Sequence, residues 1–337
     1  MANYTSVHTG ATIDAAVTKV VNSSFILPTI SGITLSTVSS PFSASDLGIT
    51  KFEDCAVIKA QDGLYYMFLD DFTGDVNHNI YCIRSTVPTF ATYTNLGDIL
   101  TRADSRVGGI TYDPVNNEYI MYVTNFVTPF AVHAYYIAAA DFPDGTWTDA
   151  GAVLSLGAGD SVDSYYTSMM SQAIRTAAGT YMLYYSSSNS ADPTNRFMWG
   201  NLAFSIDPRG TFTKYIGNPI LQEIPTDIAY DAAVSKPNIH IRGILPLSNG
   251  YLCFWEGINA ANAYWQVGAL FLDQSLKFAH QVQGSPFFTT SNITHCNPNT
   301  IIYDPTTNKI YVYYQDTTAG NALDISLQMI ATFNLLP

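Results

Sequence analysis

Charge is what this chain has least of. Lys, Arg, Asp and Glu make up only 12% of its 337 residues, and acidic residues outnumber basic ones to leave a net charge of −13. Nucleic-acid binding needs Lys and Arg clustered on one face, so that balance argues against it. It also argues against anionic membrane surfaces. No stretch approaches the 18 or so apolar residues of a spanning helix, so membrane insertion is not expected. The start, Met1-Ala2-Asn3-Tyr4, lacks the basic residues and apolar run of a secretory signal. Cysteine is scarce as well. Cys55, Cys82, Cys253 and Cys296 form no Cys-x-x-Cys pair, which disfavours structural zinc and favours buried, reduced thiols. There is no Gly-rich loop ahead of a helix, no Gly-x-Ser-x-Gly and no His-Glu-x-x-His.

Aromatic residues are abundant, at 13% of the chain, and they are arranged in a repeat. Ala56-Val57-Ile58 reads as a strand, Gln61-Asp62-Gly63 as a turn, and Tyr65-Tyr66-Met67-Phe68-Leu69 as a second strand. Asp-Gly between two such runs signals a hairpin, because Gly accepts the positive φ of the tight turn. Both strands carry apolar residues on both faces, which predicts burial between neighbouring sheets. The aromatic strand returns as Tyr119–Tyr122, Tyr181–Tyr184, Tyr251–Phe254 and Ile310–Tyr313, each after its own turn. Two copies share the wording Tyr-Asp-Pro-x-x-Asn, at Tyr112–Asn117 and Tyr303–Asn308. Five hairpins at this spacing, with about four strands' worth of residues per unit, predict an all-β, five-bladed β-propeller. The competing arrangement is one large β-sandwich.

Ahead of the repeats, Ile13, Ala16, Val17, Val20 and Val21 mark one face of a short helix. A Ser/Thr-rich linker follows, with one strand expected around Gly32–Val38. The expected organisation is therefore residues 1–45 as an N-terminal helix and linker for attachment or oligomerisation, and residues 46–337 as the propeller. The stretch Tyr4–Val17 resembles a segment found near the start of bacteriophage tail-fibre and other virion-appendage proteins. That resemblance implies a virion protein made in a host cytoplasm, a homo-oligomer contacting other virion proteins through residues 1–45, and recognition of a glycan on the host surface.

From about Thr50 to Leu335 the chain resembles the five-bladed glycosidases of the arabinanase, xylosidase and fructosidase superfamily. There an aspartate on the first innermost strand serves as general base or nucleophile, and Asp54 holds the matching place, beside Glu53. A His from the last blade helps to hold an ion or water in the channel. His295 falls there, with calcium the ion such a site would take. Residues opening the innermost strands point towards a common axis, which adds Arg106, Lys236, Asn238 and Asn297 as binding candidates. Hydrolysis needs a second carboxyl group, and the family's usual Glu is missing from the third and fourth inner strands. Asp104 and Asp163 are the named substitutes, with Asp160, Asp227, Asp231 and Glu256 behind them. Tyr165, Tyr166 and Trp265 lie among Asn and Asp residues and suit stacking on sugar faces, although such rings also fill the wedges between blades. The expectations are thus glycan recognition by a virion appendage, a glycoside hydrolase or depolymerase using Asp54, or a purely structural module.

Overall fold

In the computed structural model, each predicted hairpin forms the inner half of an antiparallel sheet. The structure describes residues 32–71, 78–102, 105–125, 131–157, 166–168, 173–176, 178–188, 198–221, 239–259, 264–283, 285, 287, 296–316 and 327–336. The first sheet runs β2 (Phe52–Lys59), β3 (Tyr65–Asp71), β4 (His78–Ser85) and β5 (Thr94–Arg102) from the axis outwards. The second runs β6 (Ser105–Asp113), β7 (Glu118–Asn125), β8 (Ala131–Ala138) and β9 (Thr148–Ser155). In the third the inner strand is in two pieces, β10 (Tyr166–Ser168) and β11 (Ile174–Arg175), both paired with β12 (Tyr181–Ser188). Outside β12 come β13 (Met198–Ser205) and β14 (Thr213–Lys214). The fourth holds β15 (Ile239–Leu247), β16 (Gly250–Asn259), β17 (Tyr264–Leu272) and β18 (Phe278–Gln281). The fifth holds β19 (Cys296–Asp304), β20 (Lys309–Asp316) and β21 (Leu327–Leu336), and its outer strand is β1 (Gly32–Ser43) from the other end of the chain. This is an all-β, five-bladed propeller, and a sandwich is excluded.

β1 lies within the segment read from sequence as linker, where one strand was expected. It pairs with β21 from Gly32–Leu336 to Ser43–Leu327, so the N-terminal strand closes the ring. Ile33 and Phe42 anchor it in the core. One short helix, α1 (Ala44–Leu47), leads from it into the first blade. The helix expected over Ile13–Val21 lies outside the described residues.

The two-faced apolar strands explain the core. Along β3, Tyr65, Met67 and Leu69 face the fifth blade, while Tyr66 and Phe68 face the second. The same split recurs along β7, where Tyr119, Met121 and Val123 pack towards blade one and Ile120 and Tyr122 towards blade three. In blades three, four and five, β12, β16 and β20 divide their side chains in the same way. Every interblade wedge is thus filled from both sides, and each fully buried large side chain contributes about 1.5–3 kcal/mol. Trp147 and Tyr135 belong to the wedge between blades one and two, with the Trp147 ring edge-on to Phe68 at 6.3 Å. Cys55, Cys82 and Cys253 are buried free thiols.

Hydroxyls of the repeated tyrosines tie adjacent blades. Tyr119 accepts the Gln61 N–H at 2.7 Å, Tyr181 donates to Asp113 Oδ1 at 2.7 Å, and Tyr313 donates to the Pro88 carbonyl at 2.8 Å. The Tyr-Asp-Pro-x-x-Asn wording has a matching local cause. Asp113 and Asp304 accept the N–H groups of Val115 and Thr306, two residues on, and Asn117 and Asn308 close the turns at φ values of 57° and 52°. Tyr112 and Tyr303 each donate to the side chain of that Asn.

Candidate functional site

Four innermost strands begin with the same irregularity. Pairing slips by one residue between Glu53 and Cys55, Val107 and Gly109, Ile241 and Gly243, and Pro298 and Thr300. The extra residues are Asp54, Gly108, Arg242 and Asn299. A bulge of this kind re-aims the side chain it carries, and here the bulges stand where the inner strands start, around the mouth of the central funnel. Asp54 takes φ 48°, a backbone conformation that non-glycine residues seldom adopt. Such strain persists only where the surroundings impose it.

Asp54 is 2% exposed, and among the described residues neither of its carboxylate oxygens has a hydrogen-bond partner. Its one charged neighbour among the described residues is Arg106, the residue expected there, whose Nη1 lies 3.8 Å from Asp54 Oδ2. That separation is longer than a hydrogen bond. The Arg106 side chain remains 28% exposed. Two side chains fix the backbone around the pair. Thr300 Oγ1, from blade five, donates to the Cys55 carbonyl at 3.1 Å and accepts the Val57 N–H at 3.2 Å. Asp70 Oδ1, from blade one, accepts the Val107 N–H of blade two at 2.8 Å.

Blade four contributes a second ion pair. Arg242, the bulge residue of β15, pairs through Nε with Glu256 Oε2 of β16, and both side chains are closed to solvent. His240 is 7% exposed and stands opposite Glu256 in the ladder. Glu256 was a substitute for the second carboxyl group. Its pairing with Arg242 commits it to holding two strands together, since a buried ion pair is costly to break.

The remaining expected residues divide in two. Glu53, Asn297, Tyr166 and Trp265 lie on β2, β19, β10 and β17, opposite Asp70, Gln315, Ser188 and Ile258 respectively. Their side chains are outside the description. Asp104, Asp163, Lys236, Asn238, His295 and Tyr165 lie outside the described residues altogether. Among the described residues no group of three or more His, Cys, Asp or Glu side chains is placed to hold a metal ion, and the calcium expectation rests on His295 alone. The sequence reading missed Asp70, Arg242 and Thr300. Their only signal was position near the hairpin ends where the inner strands are bulged.

Fold and site together define a five-bladed propeller in which a bulge on the first inner strand carries the buried Asp54, with Arg106 of the second blade beside it. No protein-family model and no curated protein matches the sequence. Among solved structures the chain is similar to Zg3597, a family 117 glycoside hydrolase of the marine bacterium Zobellia galactanivorans. The TM-score is 0.62 at 16% identity, over 90% of each chain. It is similar as well to a thermostable family-43 glycoside hydrolase, with TM-score 0.60, 14% identity, and 86% and 89% of the two chains covered. An exo-1,5-α-L-arabinanase from a bovine ruminal metagenomic library gives TM-score 0.55 at 13% identity over 83% and 92%. At these identities the likeness establishes the fold.

Proposed function

We propose that the funnel mouth binds a glycan and that Asp54 acts on it as the general base or nucleophile of a glycoside hydrolase. The observation that carries this reading is the Asp54 carboxylate, buried in a strained bulge with neither oxygen given a hydrogen-bond donor among the described residues. A buried acceptor left without donors is costly. A sugar hydroxyl brought to Asp54 would supply the donor that its carboxylate lacks, beside the partly exposed Arg106. Structural neighbours that are glycoside hydrolases support the same reading. The second carboxyl group that hydrolysis requires is assigned to Asp104 or Asp163, since Glu256 is engaged by Arg242. A glycan panel that includes α-1,5-arabino-oligosaccharides, read for binding and for released products, tests the proposal. Products that vanish in Asp54→Asn support it, and a panel with neither binding nor products sinks it.

Recognition without hydrolysis is the second reading, and it is favoured by the commitment of Glu256 to an ion pair. It joins the N-terminal resemblance in a virion appendage, assembled as a homo-oligomer through the part of residues 1–45 that precedes β1, whose propeller meets a host-surface glycan. Binding on the panel without products would select it.

A further inference from the structure

We infer that Asp70 is the positioning residue of the Asp54–Arg106 pair, an inference that rests on reading that pair as the working end of the funnel. An innermost strand has a ladder partner on one side only, so N–H groups on its other edge need acceptors from elsewhere. Thr300 supplies such an acceptor to β2, and Asp70 supplies one to β6. Asp70 is fully buried, lies at the end of β3, and stands opposite Glu53, next to the bulge that carries Asp54. The N–H that it takes belongs to Val107, directly after Arg106 and directly before the bulge of β6. Asp70 therefore spans the seam between blades one and two: its backbone stands opposite the residue before Asp54, and its carboxylate holds the N–H of the residue after Arg106. A charged acceptor makes a shorter and stronger bond than a neutral one, and this bond sets how far Arg106 stands from Asp54. Asp70 does not face the glycan in this account. It acts through the backbone of Arg106.

Arginine-selective 15N labelling gives a readout that needs no ligand. The Arg106 Nε–Hε resonance, assigned by its loss in Arg106→Lys, is compared in wild type, Asp54→Asn, Asp70→Ser and Asp70→Asn. Asp54→Asn calibrates the shift that follows when the pair loses its charge. Asp70→Ser is too short to reach Val107 and should move the Arg106 signal by a comparable amount, whereas Asp70→Asn keeps an acceptor oxygen and should leave it in place. An unmoved signal in folded Asp70→Ser, or equal shifts in the Ser and Asn variants, overturns the inference. If Asp70→Ser does not fold, Asp70→Glu takes its place. It pushes the acceptor one methylene towards β6, so an unmoved Arg106 signal there overturns the inference too. On any panel glycan that the wild type hydrolyses, Asp70→Ser should lower kcat/KM about tenfold or more, add nothing to the loss in Arg106→Ala, and be rescued by Asp70→Asn. Additive losses contradict the inference. A wild type that acts on no glycan, with the Arg106 shifts as expected, removes the functional reading and leaves the positioning role standing.

Discussion

Asp54 and Arg106 were legible as single residues, because the first inner strand opens with an acid and the second with a base. Asp70 was not, since its acceptor role depends on a neighbouring blade whose approach no local pattern encodes. The same holds for Arg242, which is displayed by an extra residue that no sequence period reveals. Thr300 reads as an ordinary strand threonine until blade five is laid against blade one. Replacing it with Val removes both contacts to β2 at constant shape and leaves a buried N–H and carbonyl without it. We expect Thr300→Val to cost about 1–3 kcal/mol in urea denaturation, and a loss below about 0.5 kcal/mol would show that the stitch contributes little. Tyr181 offers a test with a pH signature. Burial alone would raise the Asp113 carboxyl, but hydrogen bonds from Tyr181, Val115 and Asn116 outweigh it and hold the group below its ordinary value. A carboxyl lowered by folding adds stability above its unfolded pKa and loses it as pH falls through the folded one. Tyr181→Phe should therefore destabilise by about 1–2 kcal/mol at neutral pH and less near pH 2. A constant difference across that range would contradict the assignment.

At the scale of elements, the five hairpins were readable because each second strand is apolar on both faces, a pattern that only a strand between two sheets requires. Ring closure was not readable. A strand was expected near Gly32–Val38, but Gly32 pairs with Leu336 at the far end of the chain, and nothing in Thr34–Ser40 names that partner. The closure bears directly on where the chain can be cut. Removing residues 1–43 deletes β1, with the buried Ile33 and Phe42, and should cost about 3–6 kcal/mol from those two side chains. Removing residues 1–31 keeps β1 and tests the N-terminal attachment proposal cleanly, with loss of oligomeric state as the expected outcome. Equal thermal midpoints for the two truncations would show that β1 does not secure the ring.

At the scale of the molecule, aromatic residues do the work that charge does elsewhere, and this should appear at alkaline pH. Burial raises the phenols of Tyr65, Tyr81, Tyr93, Tyr119, Tyr122, Tyr181, Tyr251 and Tyr313, and it lifts Tyr66, with help from Asp62, to about 12. A phenol whose pKa is raised by folding adds stability that is full below the unfolded value near 10 and is lost as pH rises through the folded value. Spectrophotometric titration should therefore show these tyrosines ionising late and together with unfolding. Early, independent ionisation would contradict the packing described for the wedges.

The funnel itself turns on one substitution. Asn tolerates positive φ better than most residues, and Arg106 is partly solvated, so Asp54→Asn should leave the thermal midpoint within a few degrees of wild type. The most direct measurement is kcat/KM of wild type and Asp54→Asn on the glycan that the wild type hydrolyses best. Loss of the base or nucleophile should lower it about a thousandfold or more, some 4 kcal/mol of transition-state stabilisation, in a protein that is otherwise folded. A rate within about tenfold of wild type in that folded variant would contradict the account.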